Sequence, residues 1–144
     1  MSIQFLDMRM SQDSTMDTPP VSLARNGYVF GNIGLQTAGL APGNAALVRV
    51  TLSAYVRLTV YPSVIVSNDI TFGIYRNNSL IFSTVYPGDI TELNNIYKLV
   101  NITAVDYPPA ADVLAGQIQY TAVVSAIRNA DLGARSFSGI AVAG

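Results

Sequence analysis

The chain has 144 residues, a net charge of −1, and no histidine, cysteine or tryptophan. These counts exclude Ser-His-Asp and Cys-His catalysis, disulfides and thiolate metal sites. Hydrophobic residues make up 50% and charged residues only 12%, about half the usual charged share, so the surface must be covered by uncharged polar side chains or by other chains.

The length suits one domain with one core. Lys98 is the only lysine, the arginines are scattered, and no basic stripe exists to attract nucleic acid or an anionic membrane. No run approaches the ~18 apolar residues of a membrane helix. The start, MSIQFLDMRMSQDSTMDTPP, has no basic region followed by a continuous apolar one, so it does not read as a secretory signal.

That first stretch is expected to form an N-terminal arm, residues 1–18, ahead of a body at 19–144. Ile3, Phe5, Leu6, Met8 and Met10 give it apolar character, and Pro19-Pro20 ends it with two residues that cannot donate to a strand ladder. Two courses are open to it. It is either the first strand of its own domain or an extended arm that adds a strand to a neighbour.

Beyond the prolines the pattern predicts strands at 27–35, 48–60, 70–75, 80–86, 96–105, 116–127 and 135–143, with no convincing helical period. With the arm this makes eight. Gly27 to Gly34, GYVFGNIG, looks loosely like a phosphate-cradling loop, but no helix follows, so bulges or close backbone approaches explain the glycines better. LVRVTLSAYVRLTV is the strongest signal: Val48, Val50, Leu52, Ala54, Val56, Leu58 and Val60 share one side of an extended chain. Such length, on the order of 40 Å at ~3.3 Å per residue, predicts a bend that lets the strand serve both sheets. Tyr55, Arg57 and Tyr61 occupy its other side, where large rings and arginine serve either as the outer cover of a monomer or as an interface.

ITFGIYRNNSLIFSTVY predicts a hairpin around Asn77-Asn78, with Tyr75 opposite Leu80, Ile74 opposite Ile81 and Gly73 opposite Phe82. The segments SND at 67–69, YPGD at 86–89, DYPPAAD at 106–112 and NADLG at 129–133 read as turns. The carboxylates lie almost entirely in those turns, and Asp106 with Asp112 matches no calcium loop, so turn capping is their expected role. Asn77-Asn78-Ser79 and Asn101-Ile102-Thr103 fit the glycosylation sequon by coincidence. No catalytic residue, cofactor or metal is expected.

Long strands, wide loops and no helix predict an all-β, eight-stranded jelly-roll sandwich. The phrases ALVRVTLSAYVRLTV, ITFGIYRNNSLIFST, AGQIQYTAVVSA and SFSGIAVAG resemble the TNF/C1q-like jelly-roll domains of bacterial spore-surface proteins, both the heads of collagen-like exosporium proteins and the subunits of endospore appendage fibres. The resemblance runs from about Val48 to the end. It implies a spore-surface location, reached by mother-cell lysis, and a non-enzymatic subunit whose arm docks on the next copy by strand addition and apolar burial. Residues 1–20 contain no glycine and so depart from the Gly-X-Y stalk pattern, and the lack of cysteine departs from the disulfide-linked appendage types. The expected partner is the chain itself, with other spore-surface proteins beside it. The alternatives are a closed homotrimeric head and a virion or phage structural protein. The expected interface residues are Ile3, Phe5, Leu6, Met8, Met10, Tyr55, Arg57 and Tyr61.

Overall fold

A computed structural model of the chain describes residues 2–23, 26–61, 68–87, 96–128 and 130–144. Nine strands are present among them: β1 Gln4–Ser14, β2 Val21–Leu23, β3 Tyr28–Gln36, β4 Val48–Val60, β5 Ile70–Arg76, β6 Ser79–Tyr86, β7 Ile96–Asp106, β8 Gln117–Ala126 and β9 Ala130–Ala143. One sheet runs β1-β9-β4-β7 and the other β3-β8-β5-β6, all antiparallel. β1 and β2 both pair with β9, so they are two pieces of one interrupted strand. Counted that way there are eight strands, ordered 1-8-3-6 and 2-7-4-5, which is the jelly-roll arrangement.

The alternation read from the sequence is what builds the core. The inner side chains of β4, from Val48 to Val60, are all buried, and they meet Phe30, Ile33 and Leu35 of β3, Phe72 and Ile74 of β5, Ile118, Tyr120 and Val124 of β8, and Phe137 of β9. Two sheets with apolar inner faces have no other way to remove those faces from water. β4 nevertheless stays in one sheet for its whole length. The irregularity along it is a register shift against β9 between Val56 and Leu58, and the strand keeps pairing with β9 and β7 on either side of it, so the expected crossing to the other sheet does not occur.

The hairpin turns at Asn77 and Asn78, whose φ angles are 46° and 71°, as a two-residue primed turn requires. Tyr75 pairs with Leu80 as expected. A bulge then shifts the register, so Ile74 faces Phe82 and Gly73 faces Ser83. The space above Gly73 is taken by Leu80 and Tyr75, not by the Phe82 ring.

Short helices occupy two of the segments read as loops. A 3-10 helix covers Pro42–Leu47, and α1, Ala110–Leu114, follows Pro109 inside the segment expected to be a turn. Helices of six and five residues are too short to leave a period in the sequence. Of the turn expected at 129–133, Asn129 lies outside the described residues and Ala130 to Gly133 belong to β9. Ser67, Gly88 and Asp89 of two other expected turns lie outside the described residues. Gly31, on β3, sits where the strand shifts register against β8, and a Cβ there would lie 2.3 Å from Cβ of Phe137, so the two sheets approach over a bare backbone.

Candidate assembly surface

β1 lies at the end of the five-stranded sheet, so the first of its two possible courses is the one taken within the chain. It is bound the wrong way round for an ordinary edge strand. Asp7, Ser11 and Asp13 turn toward the body. Asp7 Oδ2 accepts the Gln36 amide at 2.9 Å, Ser11 Oγ accepts the Asn32 amide at 3.4 Å, and Asp13 Oδ2 accepts the Tyr28 hydroxyl at 2.5 Å and Nε of Arg135 at 2.6 Å. Arg135 is buried, donates to the carbonyls of Gly133 and Leu132, and lies 5.4 Å from the Tyr28 ring centroid. Four residues after Asp13, Asp17 accepts the Ala134 amide at 3.0 Å and lies 3.4 Å from Nε of Arg57.

Two of these carboxylates, Asp7 and Asp13, are tuned by their bonds. Hydrogen bonds from Arg9 and from the Gln36 amide hold Asp7 below the usual carboxylate range. Burial pushes Asp13 upward, but the bonds from Tyr28 and Arg135 outweigh it and leave Asp13 low as well. The clasp is therefore ionised at neutral pH.

The apolar side chains of the arm point outward. Phe5, Met8 and Met10 are 62%, 48% and 75% exposed, and Ile3, just ahead of the strand, is also exposed. Leu6 alone turns in and packs against the core. A bulge between Phe5 and Asp7 is the cause: it inserts one extra residue, so Phe5 before it and Met8 and Met10 after it share one face despite their opposite parity.

Cross-strand register extends this face over the whole sheet. Phe5 lies opposite Val142, Met8 opposite Ile140, and Met10 opposite Ser138. Ile140 continues to Thr51 of β4, and Thr51 to Val105 of β7. At the other end Arg57 pairs with Leu99, and Thr59 pairs with both Asp131 and Tyr97. The Arg57 guanidinium lies 5.3 Å from the Tyr97 centroid, and the Tyr61 hydroxyl donates to Asp131. Tyr55, half-buried, stands between Ser136 and Asn101. Apart from Ile3, which precedes the strand, and Leu6, the expected interface residues from two distant segments thus fall at one sheet's outer surface. Sequence reasoning missed its other half, Val105, Leu99, Tyr97, Ile140 and Val142. Their alternation within predicted strands was a usable signal, since each lies at a non-core position.

A second cluster, also missed, sits between the sheets. Arg76 Nη1 contacts Asp106 at 2.7 Å, its Nε contacts Asp112 at 3.1 Å, and the buried Tyr120 hydroxyl donates to Asp106 at 2.7 Å. Burial and then the Asp106 carboxylate push the Tyr120 phenol far above its usual range, so it stays a donor. Asp106 and Asp112 are ion-pair partners and not merely turn caps. Among the described residues no cluster of carboxylates could hold a metal ion.

No protein-family model and no curated protein matches the chain. Among solved structures it is similar to dimeric latent PorU from Porphyromonas gingivalis, with a TM-score of 0.51 and 12% identity over 96% of this chain and 13% of that one. Two virus structures also align: infectious bursal disease virus strain Gx (TM-score 0.47, 7% identity, 94% of this chain, 35% of that chain) and the T13 IBDV particle (0.46, 7%, 95% and 35%). The chain thus spans a small part of each. At 12% identity the PorU likeness speaks to the fold alone, and the viral ones are too distant to carry an argument. The fold is an all-β jelly-roll sandwich.

Proposed function

We propose that the protein is a non-enzymatic structural subunit that assembles with copies of itself through the outer face of the β1-β9-β4-β7 sheet. One observation carries this reading: the terminal strand turns its carboxylates toward its own body and Phe5, Met8 and Met10 toward solvent, in register with Ile140, Val142 and Val105. In a lone subunit that orientation secures the clasp but leaves Phe5, Met8 and Met10 in water. Four strands spaced ~4.8 Å apart and ~35–40 Å long present roughly 700 Å². A stable pair of proteins buries about 800 Å² per partner. Arg49 and Arg57 are the only cations of β4 on this face, and Arg57 is already neutralised by Asp17, so two copies meet with little repulsion.

Within this reading the arm remains exchangeable. Every bond that holds β1 could be made by the β1 of a neighbour, since the connector from Thr15 to Pro20 is the only link to be redirected. A spore-surface fibre built on such exchange is the setting that the sequence resemblance supports, with the surface reached by mother-cell lysis. The jelly-roll strand order favours a second setting, a virion or similar closed shell, because jelly rolls are common capsid subunits.

Electron microscopy of the purified full-length chain tests the reading. Filaments or shells are the expected result, and Met8→Glu with Ile140→Glu should disperse them. A chain that remains monomeric at every concentration would refute it. Filaments that survive removal of residues 1–15 would refute the arm's part alone.

A further inference from the structure

The four strands that end the two sheets are finished in different ways. β1 carries Asp7, Arg9 and Asp13, and β7 carries Lys98 and Asp106. β3 is uncharged, but β1 reaches across to it and occupies the Asn32 and Gln36 amides. Among the described residues β6 has neither device. Its eight residues, SLIFSTVY, include no charge, proline or glycine, and β5 is its only strand partner among the described residues. Proteins normally blunt such an edge, because its free N–H and C=O groups are a template for another strand. The one register shift lies close to the turn, which leaves Phe82–Tyr86 in unbroken pairing with β5, with no bulge along that stretch to turn the edge away.

We infer that β6 is a second self-association element, pairing antiparallel with β6 of another copy across a two-fold axis and joining two four-stranded sheets into one of eight. The strand itself selects that occupant. Antiparallel pairing of identical strands matches donors to acceptors, and an uncharged strand brings no like charges opposite one another. Leu80 and Val85, 55% and 48% exposed on the solvent side, gain cross-strand neighbours in such a pair. In its consequence the inference rests on the self-assembly reading. A face-to-face contact across one two-fold closes as a dimer, whereas a second two-fold contact on the opposite sheet makes each copy bivalent and the assembly open-ended.

The chain's lack of cysteine makes the test direct. In a scan of single cysteines from Ser79 to Tyr86 in the full-length protein, mild oxidation should link two copies only at the one or two positions nearest the axis, where cross-strand Cα distances suit a disulfide. In parallel, Val85→Lys sets two lysines near each other on the joined edge. It should cut open assemblies to dimers by mass photometry, with a circular dichroism spectrum like the wild type. Cross-linking at no position or equally at all, or Val85→Lys assemblies as long as wild type, overturns the inference. The Met8→Glu/Ile140→Glu variant separates the two readings. If that variant assembles like wild type while β6 cysteines still cross-link, the face has failed and the edge stands. If it disperses the assemblies but the β6 series is negative, the edge has failed and the function stands.

Discussion

Replacing Asp13 by alanine removes the carboxylate that clasps β1 to the body. The Arg135 side chain is 6% exposed and Asp13 is 34% exposed, with 2.6 Å between them. Breaking a buried ion pair by deleting one partner costs about 3–5 kcal/mol, while an exposed pair is worth about 0–1. With one partner buried and the other a third exposed, the cost falls between, at about 2 kcal/mol, because water reaches the vacated side and Arg135 keeps the Gly133 carbonyl at 2.7 Å. The Tyr28 hydroxyl loses its acceptor too, adding under ~1 kcal/mol. Urea unfolding of the dispersed subunit should show a midpoint lower by about 1 M, for a slope near 2 kcal/mol/M. Hydrogen exchange should speed up first in β1. The double variant Asp13→Ala/Arg135→Met should be less destabilised than the sum of the singles by about 1 kcal/mol, since it leaves no orphaned charge. A midpoint within ~0.2 M of wild type, or strict additivity, would refute the clasp.

Gly31→Ala should cost about 3 kcal/mol, at the upper end for overpacking, because the new methyl meets Cβ and Cγ of Phe137 at 2.3 and 2.7 Å and not a flexible tip; the urea midpoint reads it directly. Tyr120→Phe should cost about 1.5–2 kcal/mol by removing a buried hydrogen bond to a charged acceptor, and a loss below ~0.5 kcal/mol in thermal or urea unfolding would contradict the network around Arg76. Acid should loosen the arm. Asp7 and Asp13 have folded pKa values below an unfolded value of about 3.9, so their contribution is complete above that pH and is lost as pH falls through the lower folded values. Exchange protection of β1 amides, followed from neutral pH downward, should hold until about pH 4 and then fall ahead of the β4 core.

By itself the amino-acid sequence determined what is local. Strict alternation from Val48 to Val60 defines a strand and its buried side without reference to any partner, and Asn77-Asn78 sets a turn through its own backbone preferences. Composition likewise excluded the His- and Cys-based chemistries. Even the arm's inversion left a trace: the apolar spacing changes parity between Phe5 and Met8, where the bulge sits. Tertiary structure decided the rest, because it depends on residues far apart in the chain. Only packing against β9 shows that Leu6 turns in while Phe5, Met8 and Met10 turn out, although all four are apolar. The Arg76, Asp106, Asp112 and Tyr120 network joins three strands and a helix, and nothing in the spacing of its members announces it. The same holds for β6: its lack of charge is written in the sequence, but its place at an open edge follows from the strand order, which long-range pairing sets.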